Sequence, residues 1–221
     1  MIKKQVIELQ NIAQRYGEKE VLSHINLSFS TNCITALLGK SGSGKSTLLQ
    51  LINGMVKPSI GKVRVFGDDF DYKKAAQLRL QMGYVVQQVG LFPHMNLYDN
   101  ICLLGKITKM PLESIQKRFD FLLNMVQLPH SYSQKYPYEL SGGEAQRAGL
   151  CRALFLKPSI LLMDEPFAAL DAETKNNIYQ YFLLIQKTEP CTVVLVTHDL
   201  KEAETLADEL VWLENGKIIQ K

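Results

Sequence analysis

A short glycine-rich segment between an apolar run and a second apolar segment constrains the fold of this chain most. Residues 39–46 read GKSGSGKS and fit the pattern G-x-x-x-x-G-K-[S/T]. The run before them, ITALL at 34–38, has the composition of a strand buried on both faces of a parallel sheet. Residues 47–52 have one apolar face and favour a helix. This order predicts an α/β fold with a phosphate-binding loop at the end of a central strand.

The residue types in this loop suit phosphate. Glycines let consecutive backbone N–H groups surround phosphate oxygens, and the following helix presents its positive N-terminal end. We expect Lys45 to reach the β- and γ-phosphates of a nucleotide and Ser46 to coordinate Mg²⁺. The alternative is a Gly/Ser loop without a ligand. The candidate binding residues are Gly39, Lys40, Ser41, Gly42, Ser43, Gly44, Lys45, Ser46 and Thr47.

Two carboxylates end a second apolar run, ILLM at 160–163. Asp164 and Glu165 follow directly, at the carboxyl end of a predicted buried strand, where ligands of open α/β sheets bind. Alone, the pair also fits the start of a capped helix. Beside a phosphate loop, Asp164 is suited to hold Mg²⁺ through water and Glu165 to polarise an attacking water molecule.

A third apolar run, VVLV at 193–196, leads to His198. A lone histidine is more often structural than catalytic. However, a strand parallel to the other two would bring His198 beside the γ-phosphate, where it could sense that group by hydrogen bonding. We expect these three strands to form the centre of the sheet.

Ser141, Gly142 and Gly143 precede an apolar-periodic segment at 148–155. A serine before two glycines is either a helix cap or a second anion cradle. One nucleotide does not need two cradles in one chain. A head-to-tail dimer, in which this segment closes over the γ-phosphate bound by a partner chain, would use both.

The remaining pattern predicts one domain, 1–221, with a helical subdomain inserted at about 90–150. Period-two alternation at 6–9, 25–29 and 63–65 favours half-buried antiparallel strands, and 84–86 favours a further strand. Asp171 is a candidate N-cap. The helix after it has an expected apolar face of Ile178, Tyr181, Phe182 and Ile185. An amphipathic stripe inside the helical subdomain comprises Leu112, Ile115, Phe119, Leu122, Leu123 and Val126.

Composition narrows the class of protein further. The 25 Lys+Arg and 22 Asp+Glu residues are scattered and leave a net charge of +3, which argues against a nucleic-acid partner. The four cysteines lie far apart without a C-x-x-C pair, so we expect reduced, packed thiols and no structural metal. Uncharged stretches are broken by polar residues and proline, and the N-terminus lacks an apolar signal region. These features predict a cytosolic protein without a transmembrane span.

Taken together, these motifs resemble the ATP-binding cassette (ABC) ATPases, the nucleotide-binding subunits of ABC transporters, over nearly the whole chain. The matching segments are Walker A at 39–47, Walker B at 160–165, the signature at 140–147, the D-loop at 169–171 and the switch histidine His198. The resemblance also assigns Tyr16 to stacking on adenine. It assigns Gln87 to the Q-loop, which touches Mg²⁺ and senses the transporter partner.

The resemblance implies a P-loop NTPase core with a parallel central sheet, an N-terminal antiparallel β subdomain and an inserted helical subdomain. ATP and Mg²⁺ are the implied cofactors. Lys45, Gln87, Glu165 and His198 would be catalytic, and Asp171 would join the ATP-binding residues. Ser46, Gln87 and Asp164 would hold the metal. Ala145 and Ala168 depart from the usual pattern, but Lys45, Glu165 and His198 are present, so we expect both sites of a homodimer to hydrolyse ATP.

The implied partners are a second cassette and two transmembrane permease subunits, with the chain peripheral on the cytoplasmic face of the inner (plasma) membrane. Residues 89–100 are either an ordinary loop beside the core or the groove for a helix of the membrane subunit. Residues 83–94 are similar to importers of quaternary amines and of amino acids, which act with a solute-binding protein. Quaternary-amine cassettes often carry a C-terminal regulatory domain, and we expect none in these 221 residues.

Three other functions compete with solute transport as interpretations of this sequence. An ABC ATPase of a membrane complex that signals to cell-wall enzymes has nearly the same sequence features. A soluble cassette of DNA repair or translation usually carries two cassettes or a long coiled-coil insertion, and neither occurs here. A small-molecule kinase would leave Ser141 to Gly143 and His198 without a role.

Overall fold

The computed structural model describes residues 4–87, 90–168 and 170–220. The strands are β1 (Gln5–Tyr16), β2 (Lys19–Ser30), β3 (Ile34–Leu38), β4 (Ile60–Val65), β5 (Asp68–Asp69), β6 (Met82–Val85), β7 (Ile160–Asp164), β8 (Thr192–Thr197), β9 (Glu209–Glu214) and β10 (Lys217–Gln220). The α-helices are α1 (Lys45–Ile52), α2 (Ala75–Arg79), α3 (Leu97–Ile107), α4 (Leu112–Met125), α5 (Gly142–Leu154), α6 (Ala172–Thr188) and α7 (Leu200–Leu206).

The larger sheet has the strand order β10-β9-β3-β8-β7-β6, with β10 antiparallel and the others parallel. The predicted centre is confirmed, because β3 pairs with β8 and β8 pairs with β7. Every residue of β3 and β8 is buried, as continuous apolar runs require. The phosphate loop, Asp164 and His198 therefore meet at one edge of the sheet, where β3, β7 and β8 end.

The smaller sheet is antiparallel, with the order β2-β1-β4-β5. Leu9 lies opposite Leu27 of β2 and opposite Val63 of β4, so the three strands predicted by alternation share one sheet. Their inward side chains pack with the buried face of α1 in one apolar cluster. This contact places the hairpin between β1 and β2 next to the phosphate loop.

Helices α3, α4 and α5 lie between β6 and β7 in the chain. Ile115, Phe119, Leu122 and Leu123 of the predicted stripe are fully buried, as is Val126 just after α4. Leu112 was predicted to belong to this stripe, and that prediction is wrong, because 78% of it is exposed. It is the first residue of α4 after Pro111, and there the helix has not yet reached the core.

Asp171 caps α6 as predicted, because its side chain accepts a hydrogen bond from the Thr174 N–H. The predicted apolar face is confirmed, because Ile178, Phe182 and Ile185 are buried and Tyr181 packs, partly buried, against the same core cluster. The Tyr181 hydroxyl donates to Gln127 Oε1 at 3.0 Å. Tyr179 is buried as well, which the pattern did not predict, because it lies about 160° from Tyr181 around the helix.

The four cysteine side chains are buried, as predicted from their spacing. Across the described ranges, none of the helices combines the length and apolar character needed to cross a membrane.

Candidate functional site

A cavity of about 650 Å³ opens at the edge of the sheet where the three central strands end. Residues predicted separately from the phosphate loop, the Q-loop, Walker B and the switch histidine meet here. Its lining residues are Lys19, Val21, Lys40, Ser41, Gly42, Gly44, Lys45, Ser46, Thr47, Gln87, Glu165 and His198. The parallel arrangement of β3, β7 and β8 explains this meeting, because their carboxyl ends lie side by side.

Two positions of the phosphate loop need glycine, because neighbouring atoms lie too close to leave room for a side chain. A Cβ atom on Gly39 would lie 2.2 Å from the Leu213 carbonyl oxygen, and one on Gly44 would lie 2.6 Å from Leu22 Cδ2. Gly44 also has a φ of 106°, which side chains rarely tolerate. These contacts anchor the loop against β2 and β9, so its conformation is set by neighbours outside the motif.

Lys45 is the first residue of α1, and its side chain folds back over the loop. It is 5% exposed, and Nζ donates to the carbonyl oxygens of Gly39 at 2.7 Å and Lys40 at 3.0 Å. Burial lowers the pKa of Lys45, although the carboxylates of Glu165 and Asp164 oppose that shift. The ammonium group is therefore held inside the curve of the loop, where its positive charge would attract a bound phosphate anion.

Ser46 and Asp164 form the second polar contact of the site. The Ser46 hydroxyl donates to Asp164 Oδ1 at 3.1 Å, and burial raises the pKa of that carboxyl group. Gln87 lines the same cavity as Ser46, and hydroxyl, carboxylate and amide oxygens are the donors that Mg²⁺ prefers. These residues therefore fit the predicted metal, which when bound would neutralise phosphate charge.

Glu165 has its carboxylate at the cavity wall between two neighbours. Its Oε2 accepts a hydrogen bond from Gln87 Nε2 at 3.4 Å and lies 3.2 Å from His198 Nδ1. The backbone of Glu165 has a φ of 44°, and its N–H donates to the Val196 carbonyl at 2.9 Å. A left-handed conformation costs a non-glycine residue about 1–2 kcal/mol, so the surrounding structure must hold it. This backbone turn directs the carboxylate toward the loop.

Tyr16 ends β1 and lies opposite Lys19 across the hairpin. It is 48% exposed, and among the described residues it does not line the cavity, whereas Lys19 and Val21 do. Its stacking on adenine stays a prediction. Sequence reasoning missed Lys19 and Val21, for which the only signal was their place just after the same turn.

Ser141 is the N-cap of α5, which confirms the simpler of its two interpretations. Its Oγ accepts from the Glu144 N–H at 3.3 Å, and its own N–H donates to Glu144 Oε2 at 2.7 Å. This backbone hydrogen bond lowers the pKa of Glu144. Ser141, Gly142 and Gly143 line a different cavity, of about 370 Å³, together with Asp171. One chain thus does not bring the signature segment to the phosphate loop.

The D-loop is described only in part, because Ala169 lies outside the described residues. Asp171 lies beside the signature segment and accepts hydrogen bonds from the Thr174 N–H at 2.9 Å and the Thr174 hydroxyl at 2.6 Å. A Cβ atom on Gly143 would lie 2.6 Å from Thr174 Cγ2. Thr174 therefore holds Asp171 while packing against the start of α5.

This fold and this site are those of an ATP-binding cassette. The family described as ABC transporter matches residues 22–168, and the chain belongs to that family.

Curated relatives match almost the full length of the chain. The choline transport ATP-binding protein OpuBA of Bacillus subtilis is 41% identical over 97% of this chain and 57% of its own length. The glycine betaine uptake system ATP-binding protein YehX of Escherichia coli is 38% identical over 98% and 70%. The probable sulfate/thiosulfate import ATP-binding protein CysA of Chlorella vulgaris is 42% identical over 97% and 89%. The chain thus spans little more than half of the first of these proteins.

A solved structure shares the whole architecture. The dimeric ATP-binding cassette MJ0796, in a post-hydrolysis state bound to ADP and Pi, is 31% identical with a TM-score of 0.86, and 97% of each chain is covered. The predicted P-loop NTPase fold, with its antiparallel sheet and inserted helices, is confirmed.

Proposed function

We propose that this chain binds ATP with Mg²⁺, hydrolyses it, and acts as the ATP-binding subunit of an ABC importer. The observation that carries the proposal is the Glu165 carboxylate, held between Gln87 and His198 beside the phosphate loop. A phosphate cradle alone would support binding. A carboxylate positioned beside it adds the group that hydrolysis needs.

The roles follow from the contacts. Lys45 and the loop N–H groups bind the β- and γ-phosphates and stabilise the charge that develops during phosphoryl transfer. Glu165 orients and polarises the attacking water molecule, and its electron pair accepts the hydrogen bond of that water. His198 Nδ1 lies beside Oε2 of Glu165, so the imidazole ring holds that carboxylate in place. The same ring contacts the γ-phosphate of the bound nucleotide.

The separation of the two cavities supports a head-to-tail dimer. The residues described as lining the phosphate-loop cavity differ from those lining the Ser141 cavity. A second copy turned by a two-fold rotation would place its Ser141 segment over the γ-phosphate of the first, and the reverse. The dimeric MJ0796 cassette supports this assembly.

The membrane partner would meet the surface after Gln87. Asn100, which is fully buried, braces that segment: its Oδ1 accepts from the Phe92 N–H at 2.7 Å, and its Nδ2 donates to Met95 O at 2.9 Å. Phe92 itself is 41% exposed. A rigid loop that presents an apolar ring suits a helix of a permease subunit at the cytoplasmic face of the membrane. Val89 lies outside the described residues.

The cargo is proposed as a small solute. OpuBA and YehX are named for choline and glycine betaine, which favours a quaternary amine, whereas CysA is named for sulfate and thiosulfate. The solute itself would contact other subunits, including a solute-binding protein. Transport assays with choline, glycine betaine and sulfate in a complex purified from the native host would separate these classes.

The proposed function is tested by sedimentation of the Glu165→Gln protein with and without MgATP. The amide removes the charge that polarises water and keeps the phosphate contacts, so ATP should trap a dimer. Adding Ser141→Arg should abolish the dimer, because the arginine would fill the cradle at the start of α5. Wild-type protein that neither hydrolyses ATP nor binds it would overturn the proposal. A monomer at saturating ATP would refute the two-chain site.

A further inference from the structure

Tyr179 on α6 contacts the two segments that carry Glu165 and His198. Its ring packs edge-on against Phe167, two residues after Glu165, with ring centroids 5.1 Å apart and an interplanar angle of 73°. Its hydroxyl donates to Glu202 Oε2 at 3.1 Å, and Glu202 follows His198 by four residues, on α7. Tyr179 and Glu202 are 6% and 2% exposed.

The hydrogen bond goes to a buried carboxyl group whose other polar neighbours are the Thr197 hydroxyl and the Lys175 ammonium group. Within the described part of the chain, Glu202 Oε1 is buried without a hydrogen bond. Burial raises the pKa of Glu202, and burial followed by the charge of Glu202 raises the pKa of Tyr179, so the phenol stays a donor. Removing the phenol proton would take a hydrogen-bond donor away from a buried carboxyl group, which is costly.

A second contact ties the same two helices at their ends near the site. Lys175 Nζ lies 3.6 Å from Asp199 Oδ2, and Asp199 caps α7 through the Lys201 and Glu202 N–H groups. Lys175 and Tyr179 are one turn apart on α6 and therefore face the same way. Both α6 side chains thus hold the segment carrying His198, and of these two Tyr179 also contacts the segment carrying Glu165.

We propose that Tyr179 is a positioning residue, which holds the Phe167 and Glu202 segments together so that His198 Nδ1 stays within reach of Glu165 Oε2. This inference rests on the proposed ATPase function. Tyr179 touches neither the phosphate loop nor the cavity, and it acts through His198. Burial in the core cluster explains why an aromatic ring stands at position 179, whereas the hydroxyl group is not needed for that packing.

The test replaces Tyr179 by phenylalanine, which keeps the ring against Phe167 and removes the donor. We expect kcat for ATP hydrolysis to fall about tenfold with KM for ATP nearly unchanged. In ¹⁵N-histidine NMR spectra of the ATP-free protein, with His198 assigned by its absence in His198→Ala, we expect the Nδ1 signal of His198 to shift. Tyr72→Phe is the matched control, because within the described residues the buried Tyr72 hydroxyl has no hydrogen-bond partner. It should move neither quantity.

Glu202→Leu offers a second approach if Tyr179→Phe folds poorly. It removes the acceptor, so it should lower kcat and shift the His198 signal as Tyr179→Phe does, and the two changes together should add little. Wild-type kcat and an unmoved His198 signal in either folded variant would overturn the inference and leave the ATPase proposal intact. Wild-type protein without ATPase activity would instead remove the proposed function, and the histidine spectrum would still report on the contact.

Discussion

His198 Nδ1 lies 3.2 Å from Glu165 Oε2, although the two residues are 33 positions apart in the chain. Their strands, β8 and β7, are parallel neighbours, so both side chains emerge at the same edge of the sheet. Glu165 leaves its strand with a left-handed backbone, which turns its carboxylate toward the histidine. The pair therefore depends on strand pairing and on one unusual backbone conformation.

Lys45→Ala should abolish nucleotide binding at micromolar ATP, a loss of at least about 100-fold. Lys45 is the buried cation that the Gly39 and Lys40 carbonyl groups hold inside the loop. Titration calorimetry measures the loss. Lys62→Ala is the control, since Lys62 is an exposed cation paired with Asp69 on the smaller sheet. Unchanged affinity in Lys45→Ala would remove this residue from the phosphate site.

Arg118→Met should destabilise the protein by about 3 kcal/mol or more. The buried guanidinium donates to the Leu154 and Phe155 carbonyl groups and contacts Glu189 Oε2 at 2.7 Å, so it joins α4 to the ends of α5 and α6. Urea unfolding gives the free energy. Lys117→Met removes the preceding, exposed cation and should change stability by less than about 0.5 kcal/mol. Equal effects of the two changes would show that the buried contacts contribute little.

Glu144→Ala should cost about 1 kcal/mol of stability at neutral pH, because Glu144 completes the capping box of α5. The folded-state pKa of Glu144 is lowered, so its stabilisation is present above the ordinary value of 4.5 and is lost as the pH falls through the lowered value. Unfolding of both proteins from pH 7 to acid should show the difference shrinking. A constant difference for Glu144→Ala would contradict the assigned role of its charge.

Phe92→Glu should spare the basal ATPase activity and abolish its coupling to the membrane partner. The ring is exposed on a loop that Asn100 braces, so a charge there should not disturb the core. The measurement compares the ATPase activity of the isolated chain with that of the reconstituted transporter. Ile107→Glu alters another exposed apolar residue, at the end of α3, and should leave both activities unchanged. Loss of basal activity in Phe92→Glu would show instead that this segment supports the core.

Local patterns predicted the parts of the fold that local chemistry controls. Continuous apolar runs located β3, β7 and β8, and short polar side chains located the caps Asp171 and Ser141. The spacing patterns failed for residues whose burial depends on how far they lie from the core. Leu112 belongs to the stripe by spacing and yet is exposed, and Tyr179 is buried although it lies outside the predicted apolar face of α6.

The sequence alone determined the phosphate loop, the functional residues that follow each apolar strand, and the family resemblance. Each of these is visible in residue types at short, regular spacings. Only the tertiary structure decided which side chains meet. Strand order brought Gln87, Glu165 and His198 together, and helix packing buried Arg118 and joined Tyr179 to Glu202. Such contacts join residues tens of positions apart. They depend on how whole helices and strands pack, and the spacing of residues along the chain does not predict that packing.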